Sequence, residues 1–334
     1  MEPLRIVAIG GGTGLSTLLH GLKRYAQDPQ EAEITAVVTV TDDGGSSGRL
    51  RREFEVLPPG DIRNCMVALS EDEGLLSKLF QYRFSEGKGL KGHSFGNLFL
   101  TALTNLTGDF AQAVKVSSEV LASLGRIYPA TEANVTLEAE LENGRIVTGE
   151  SKISKSRSPI KWIRLRPRVC KPLPETLEAI ARADLITFGP GSLFTSVIPN
   201  VLVQGVPAAI RCSRALKAYF VNLMWQPGET TGFRASDHVA AINRHAGGNL
   251  FDVAVVNTRG ITVRQRRKYA AELAQSVMND VDRLSAMGLQ VVAADLLAAG
   301  EIVRHDSRVA AEIAMDLARR GRTNRGRVRV LGEK

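Results

Sequence analysis

Cysteine is scarce in this chain: Cys65, Cys170 and Cys212 are three among 334 residues, far apart and in no CxxC pair. That spacing excludes a disulfide framework or a zinc knuckle and leaves ordinary reduced thiols. Aromatic residues make up only 5% of the chain, and no nucleic-acid motif accompanies the net charge of +8. Much of the charge lies in Lys152–Lys171 and Arg319–Arg329, segments expected outside the core, so it reads as a solvated basic face rather than a surface for RNA or DNA. No apolar run approaches the length of a membrane span, and Glu2 and Arg5 stand where a signal peptide would lead into its apolar region. A cytoplasmic protein without membrane or nucleic-acid partners is expected. An HExxH motif, a reactive-thiol motif and a Ser/His/Asp order are missing as well.

What the chain does have is 44% hydrophobic and 23% charged residues, enough for a large core in one domain or two. Short Val- and Ile-rich runs fall at Leu4–Ile9, Ile34–Val40, Leu185–Phe188, Tyr219–Met224, Val253–Val256 and Gln290–Ala293. Most are followed by a loop and then a helical period, as in Leu15, Leu18, Leu19 and Leu22. This alternation predicts a doubly wound α/β fold with a mostly parallel, Rossmann-like sheet. One stretch breaks it: alternating runs flank Asn143-Gly144, a pair that favours a tight hairpin turn. An antiparallel ribbon is therefore predicted over 126–168, inserted into or hung from the edge of a single domain spanning 1–334. The basic tail at 322–334 need not be ordered.

Two glycine-rich turns follow predicted strands. RIVAIGGGTGLSTLL places Gly10, Gly11, Gly12, Thr13 and Gly14 between a strand and a helix, where close backbone approach and free N–H groups favour a phosphate. It is neither the dinucleotide fingerprint, whose third glycine would fall at Leu15, nor a Walker A loop, since no lysine follows. A nicotinamide oxidoreductase is disfavoured accordingly. GPGSLFTSVIPN repeats the arrangement at Gly189, Gly191, Ser192 and Thr195. Two such loops after parallel strands would share the carboxyl edge of the sheet, where open α/β folds bind ligands. Ser192 and Thr195 could donate to phosphate or sugar oxygens; capping the next helix is an equally simple role for Ser192.

Between these loops lie TDDGGSSGRLR, PPGDIRN and GHSFGNL. Asp42 or Asp43 would face a metal or hydroxyl groups, and Arg49 a phosphate. Asp61 either faces the same ligand or caps a helix. His93 and Asn97, four apart at a helix start, would share one face.

In this order and spacing the motifs, together with QPGET at Gln226–Thr230, resemble the gluconeogenesis factor family called YvcK across nearly the whole chain. That family is related to CofD, the 2-phospho-L-lactate transferase, which has an α/β fold and uses a guanylyl-activated phospholactate with magnesium. The resemblance implies binding of UDP-activated sugars, especially UDP-N-acetylglucosamine, and a regulatory link between gluconeogenic growth and cell shape. The alternative it implies is a magnesium-dependent transferase of a phosphorylated group, with Asp42, Asp43 and Asp61 as candidate catalytic residues and Asp42 and Asp43 as candidate metal ligands. The segment GGSSGRLR departs from the transferase pattern, so the deazaflavin acceptor does not carry over. Further candidate ligand residues are Asn64 beside Asp61, Arg304 as a clamp on a diphosphate, and Tyr269 as a stacking partner for a pyrimidine. An Arg304–Asp306 salt bridge is the competing role for that arginine, and Ser307 is expected to cap the last helix. A homo-oligomer stays open, as does the identity of any protein partner.

Overall fold

The computed structural model describes residues 2–71, 74–156 and 158–331. Ten strands occur among them: β1 (Leu4–Gly10), β2 (Ala32–Val38), β3 (Arg126–Pro129), β4 (Thr136–Leu141), β5 (Ile146–Thr148), β6 (Ile160–Arg166), β7 (Leu185–Phe188), β8 (Leu216–Phe220), β9 (Val253–Asn257) and β10 (Gln290–Ala294). Seven of them form one sheet in the order β10-β9-β8-β7-β1-β2-β3, with parallel pairings throughout. The chain moves outward from β1 to β3, then returns to the other side of β1 and runs out to β10. The reversal between β1 and β7 opens a crevice at their carboxyl ends.

The central strands read as nearly unbroken apolar runs because helices cover both faces. Ile6, Val7, Ala8 and Ile9 of β1 and Leu185, Ile186 and Phe188 of β7 are all buried. Helix α1 (Gly12–Ala26) sets Leu15, Leu18, Leu19 and Leu22 into the core at the predicted helical spacing. The C-terminal helix Ser307–Leu331 lies against α1, so closely that a Cβ on Gly21 would meet the Ser307 carbonyl. The tail expected at 322–334 is therefore helical as far as Leu331, and 332–334 lie outside the described residues.

Two boundaries differ from the sequence reading. Arg126–Pro129, assigned there to the ribbon, pairs with β2 as the edge strand of the main sheet. With only four residues, and Pro129 ending it, the strand carries too little pattern to reveal its partner. The ribbon proper is the antiparallel sheet β5-β4-β6, turned at Asn143-Gly144 with Gly144 at φ +80. Strand β8 begins at Leu216 rather than Tyr219 and ends at Phe220, because Leu216 and Lys217 pair with Leu185 and Ile186 of β7. The residues from Asn222 onward are thereby freed to line a cleft.

Candidate functional site

The two glycine loops meet in the β1/β7 crevice. The first turn of α1 touches the second loop backbone to backbone: a Cβ on Gly14 would overlap the Pro190 carbonyl. Gly11 is equally confined, its Cβ position lying 2.8 Å from Asp61 Oδ2 and against the Thr39 methyl. Gly12 differs, with φ +62 and only Ser196 Oγ nearby at 3.7 Å, so it faces open space. No acidic residue occupies the first turn of α1, and Gly11 at its N-cap supplies no capping side chain. Such a helix start attracts an anion.

A groove runs along this edge of the sheet. Its central part, about 350 Å3, is walled by Gly11–Gly14, Gly191, Ser192, Ser196, Gln226 and Arg304. It joins a wider arm of about 750 Å3 through Thr13, Thr17, Arg304 and His305. At the other end Asn222 and Leu223 lead into a recess of about 180 Å3 with Asn257 and Asn279. The arrangement suits a long, polar ligand.

Three carboxyls sit on or behind the central wall. Asp61, in the first turn of α3 (Gly60–Leu69), is pushed up to about 7 by burial and by Asp42, although the Gly12 amide donates to it. Glu150, on the short helix Glu150–Ile153 of the ribbon, is pushed up to about 9, first by burial and then by Asp61 and Asp42. Thr41 Oγ1 donates to Glu150 Oε2 at 3.2 Å. Glu229, in QPGET, rises to about 7 through burial; Ser154 Oγ donates to its Oε1 at 3.0 Å, while Oε2 is buried without a partner. His305 is lowered to about 4 by burial and donates Nε2–H to the Val221 carbonyl at 3.1 Å. The tautomer follows from the carbonyl, which can only accept.

The predicted ligand residues separate into two groups. Gly11, Gly12, Thr13, Gly14, Asp61, Gly191, Ser192 and Arg304 line the central groove, and Asn64 lines its wide arm. Ser192 does not cap a helix; its hydroxyl is bonded by Gln226 Nε2. Arg304 has no salt bridge to Asp306, whose Oδ1 instead accepts the Arg308 and Val309 amides at the start of the last helix. Asp306, not Ser307, therefore holds that end, and Asp61 lies inside α3 rather than at its cap.

The others serve the frame. Gly10 ends β1, its carbonyl accepting from Thr39 N, and Gly189 with φ +70 abuts the Phe220 carbonyl. Thr195 is buried and offers its carbonyl to Thr41, so Ser196 takes the place expected of it. His93 Nδ1 pairs with Ser46 Oγ at 3.0 Å, and Asn97 Nδ2 donates to Ser47 Oγ, tying α2 (Gly45–Phe54) to α5 (Phe95–Thr107). Arg49 donates to the Lys91 carbonyl at 2.9 Å. Tyr269 does not line the groove; its hydroxyl accepts the amide of Val303, a wall residue.

Asp42 and Asp43 are each engaged by the backbone through one carboxylate oxygen. Asp42 Oδ1 accepts the Gly44 amide and Asp43 Oδ1 accepts the Ser151 amide, both at 2.8 Å. Asp43 thus anchors the ribbon's helix, and among the described residues no three His, Cys, Asp or Glu side chains are grouped as metal ligands. Sequence reasoning missed Glu150, Ser196, Asn222 and His305 as wall residues. Ser196 lies within GPGSLFTSVIPN and His305 directly follows Arg304, whereas nothing around Glu150 marks it, since only the tertiary return of the ribbon brings it in.

A family model described as 2-phospho-L-lactate transferase CofD matches residues 6–297. The chain is 48% identical over 314 residues to the gluconeogenesis factor of Bacillus subtilis strain 168, covering 94% of this chain and 98% of that one. To the gluconeogenesis factor of Halalkalibacterium halodurans it is 47% identical over 317 residues, covering 95% and 97%. The crystal structure of a UPF0052 family member from Bacillus halodurans matches with a TM-score of 0.90 at 47% identity, over 94% of this chain and 100% of that one.

Proposed function

The chain belongs to the gluconeogenesis factor family, of CofD-like fold, and on that premise we propose that it is a regulator that binds UDP-N-acetylglucosamine and ties central carbon metabolism to cell-wall precursor supply and cell shape. One observation carries the reading: a continuous polar groove at the sheet reversal, with Arg304 and a helix start that has no capping side chain of its own at its centre. The diphosphate lies against the amides of α1 and the Arg304 guanidinium. The recess at Asn222, Asn257 and Asn279 offers amide donors and acceptors to the uracil edge. The sugar hydroxyls meet Ser192, Ser196 and Gln226.

Asp61 favours a second reading. A carboxyl held to about 7 in a groove is matched to acid-base chemistry near neutrality, as a transferase of a phosphorylated group would need. The two are separated by incubating the protein with UDP-N-acetylglucosamine and magnesium and recovering the ligand. Intact ligand supports the regulator, and consumed ligand the transferase. At 100 times Kd the ligand should add about 2.7 kcal/mol of stability, a thermal shift of a few degrees, with GDP and NAD giving much less. Equal shifts from all three would defeat the uridine selectivity.

A further inference from the structure

The wide arm of the groove holds more positive charge than a neutral sugar requires. Arg63, on α3, is buried at 9% exposure, yet its Nε has no partner and its Nη2 donates only to Asn64 Oδ1, at 2.5 Å. Burial and the nearby Arg83 both lower its pKa, with Asp61 and Asp42 acting only through space. Lys78, Arg83 and Arg304 line the same arm, as does His20. Among the described residues none of Arg63, Lys78, Arg83 and Arg304 is ion-paired, and the one carboxylate in the arm, Asp306, is occupied in capping a helix.

The placement is built into the sequence. A Cβ on Gly96 would come within 2.9 Å of Arg63 Cγ and Cδ, so the second glycine of GHSFGN lets the buried arginine stem pass beneath α5. Arg83 is fixed from the following loop, its Nη1 donating to the Gly92 carbonyl at 2.6 Å. Keeping like charges together, one of them buried, is unfavourable unless an anion joins them.

We propose that this arm is a second anion site, taking the phosphate of a small phosphomonoester alongside whatever occupies the central groove. Two guanidinium forks and an ammonium group match a phosphate dianion, which accepts several charge-assisted hydrogen bonds at once. A space of about 750 Å3 leaves room for the organic part of the ester. Such a site would let the protein register a phosphorylated metabolite and a nucleotide sugar together.

The test is calorimetric titration of the full chain with glycerol 3-phosphate and with inorganic phosphate, at constant ionic strength, alone and with saturating UDP-N-acetylglucosamine. The first arm decides the site even if the groove takes no UDP-sugar. Both probes are expected to bind, and Lys78→Ala and Arg83→Ala each to weaken them by about tenfold or more, the loss expected of a charge-assisted hydrogen bond. Arg63→Lys should do the same, and should it fail to fold, the two exposed positions decide alone. Phosphate affinity unchanged in Lys78→Ala and Arg83→Ala would overturn the proposal. So would displacement of the phosphate probe by UDP-N-acetylglucosamine, which would assign these cations to the nucleotide.

Discussion

The glycines of GGGTG look alike in the sequence and do different work. Gly14 is needed for packing, because a methyl group there meets the rigid Pro190 carbonyl rather than a yielding side chain. Gly12 is needed for conformation and approach, with left-handed φ and space in front of it. Gly14→Ala should therefore cost about 1–3 kcal/mol of stability by overpacking. Gly12→Ala should cost about 1–2 kcal/mol through its backbone and weaken nucleotide binding more than stability explains. Denaturant unfolding beside ligand titration separates the two, and a Gly14→Ala protein of unchanged stability would refute the loop contact. Sequence alone shows a ligand loop here but cannot divide these roles, since each depends on what a distant segment places opposite the missing Cβ. The same holds for Asp61, whose residue type suggests a cap while its setting makes it an acid on the groove wall held to about 7.

At the level of elements, the strands with long apolar runs were legible and those defined by their partners were not. β1, β2, β7 and β9 announce themselves through burial on both faces, whereas β10, a half-exposed edge strand, shows only through its short Val and Ala run. β3 has four residues, and only pairing with β2 makes it part of the main sheet. The acidic pair after β2 shows the limit most clearly: Asp43 serves an element more than a hundred residues away by accepting the Ser151 amide. That contact brings the ribbon back to the groove and so positions Glu150. Asp43→Ala should lower stability by about 0.5–2 kcal/mol, the range for a lost helix cap, and should do so whether or not magnesium is chelated. A magnesium-dependent difference between wild type and variant would restore a metal role to Asp43.

For the whole molecule, stability against pH sums groups spread over the groove and the core. Burial raises Asp61 and Glu229 to about 7 and Glu150 to about 9, against ~4 for unfolded carboxyls. The folded chain thus keeps protons that the unfolded chain has released, and stability falls as pH rises from ~4 through each folded value. His245 and His305, lowered to about 4 by burial, act in the opposite sense. They stay neutral when folded while their unfolded forms gain a proton below ~6.5, so stability is lost as pH falls from there. The two sets offset each other between ~4.5 and 6.5, whereas above ~7 Glu150 is the main carboxyl still losing its proton. A broad maximum below neutrality is expected, followed by a decline towards pH 9 of at most roughly 1 kcal/mol per pH unit, reduced because Glu150 is open to the groove. Glu150→Gln should flatten that decline, and parallel unfolding curves for wild type and variant across this window would exclude Glu150 as its source. The same proton bears on ligand binding, since an ionised Glu150 repels a diphosphate placed beside it. UDP-N-acetylglucosamine should therefore bind with proton uptake and more weakly as pH rises towards 9. Calorimetric titration in two buffers of different ionisation enthalpy measures that uptake, and identical heats in both would show that the ligand does not sense the Glu150 proton.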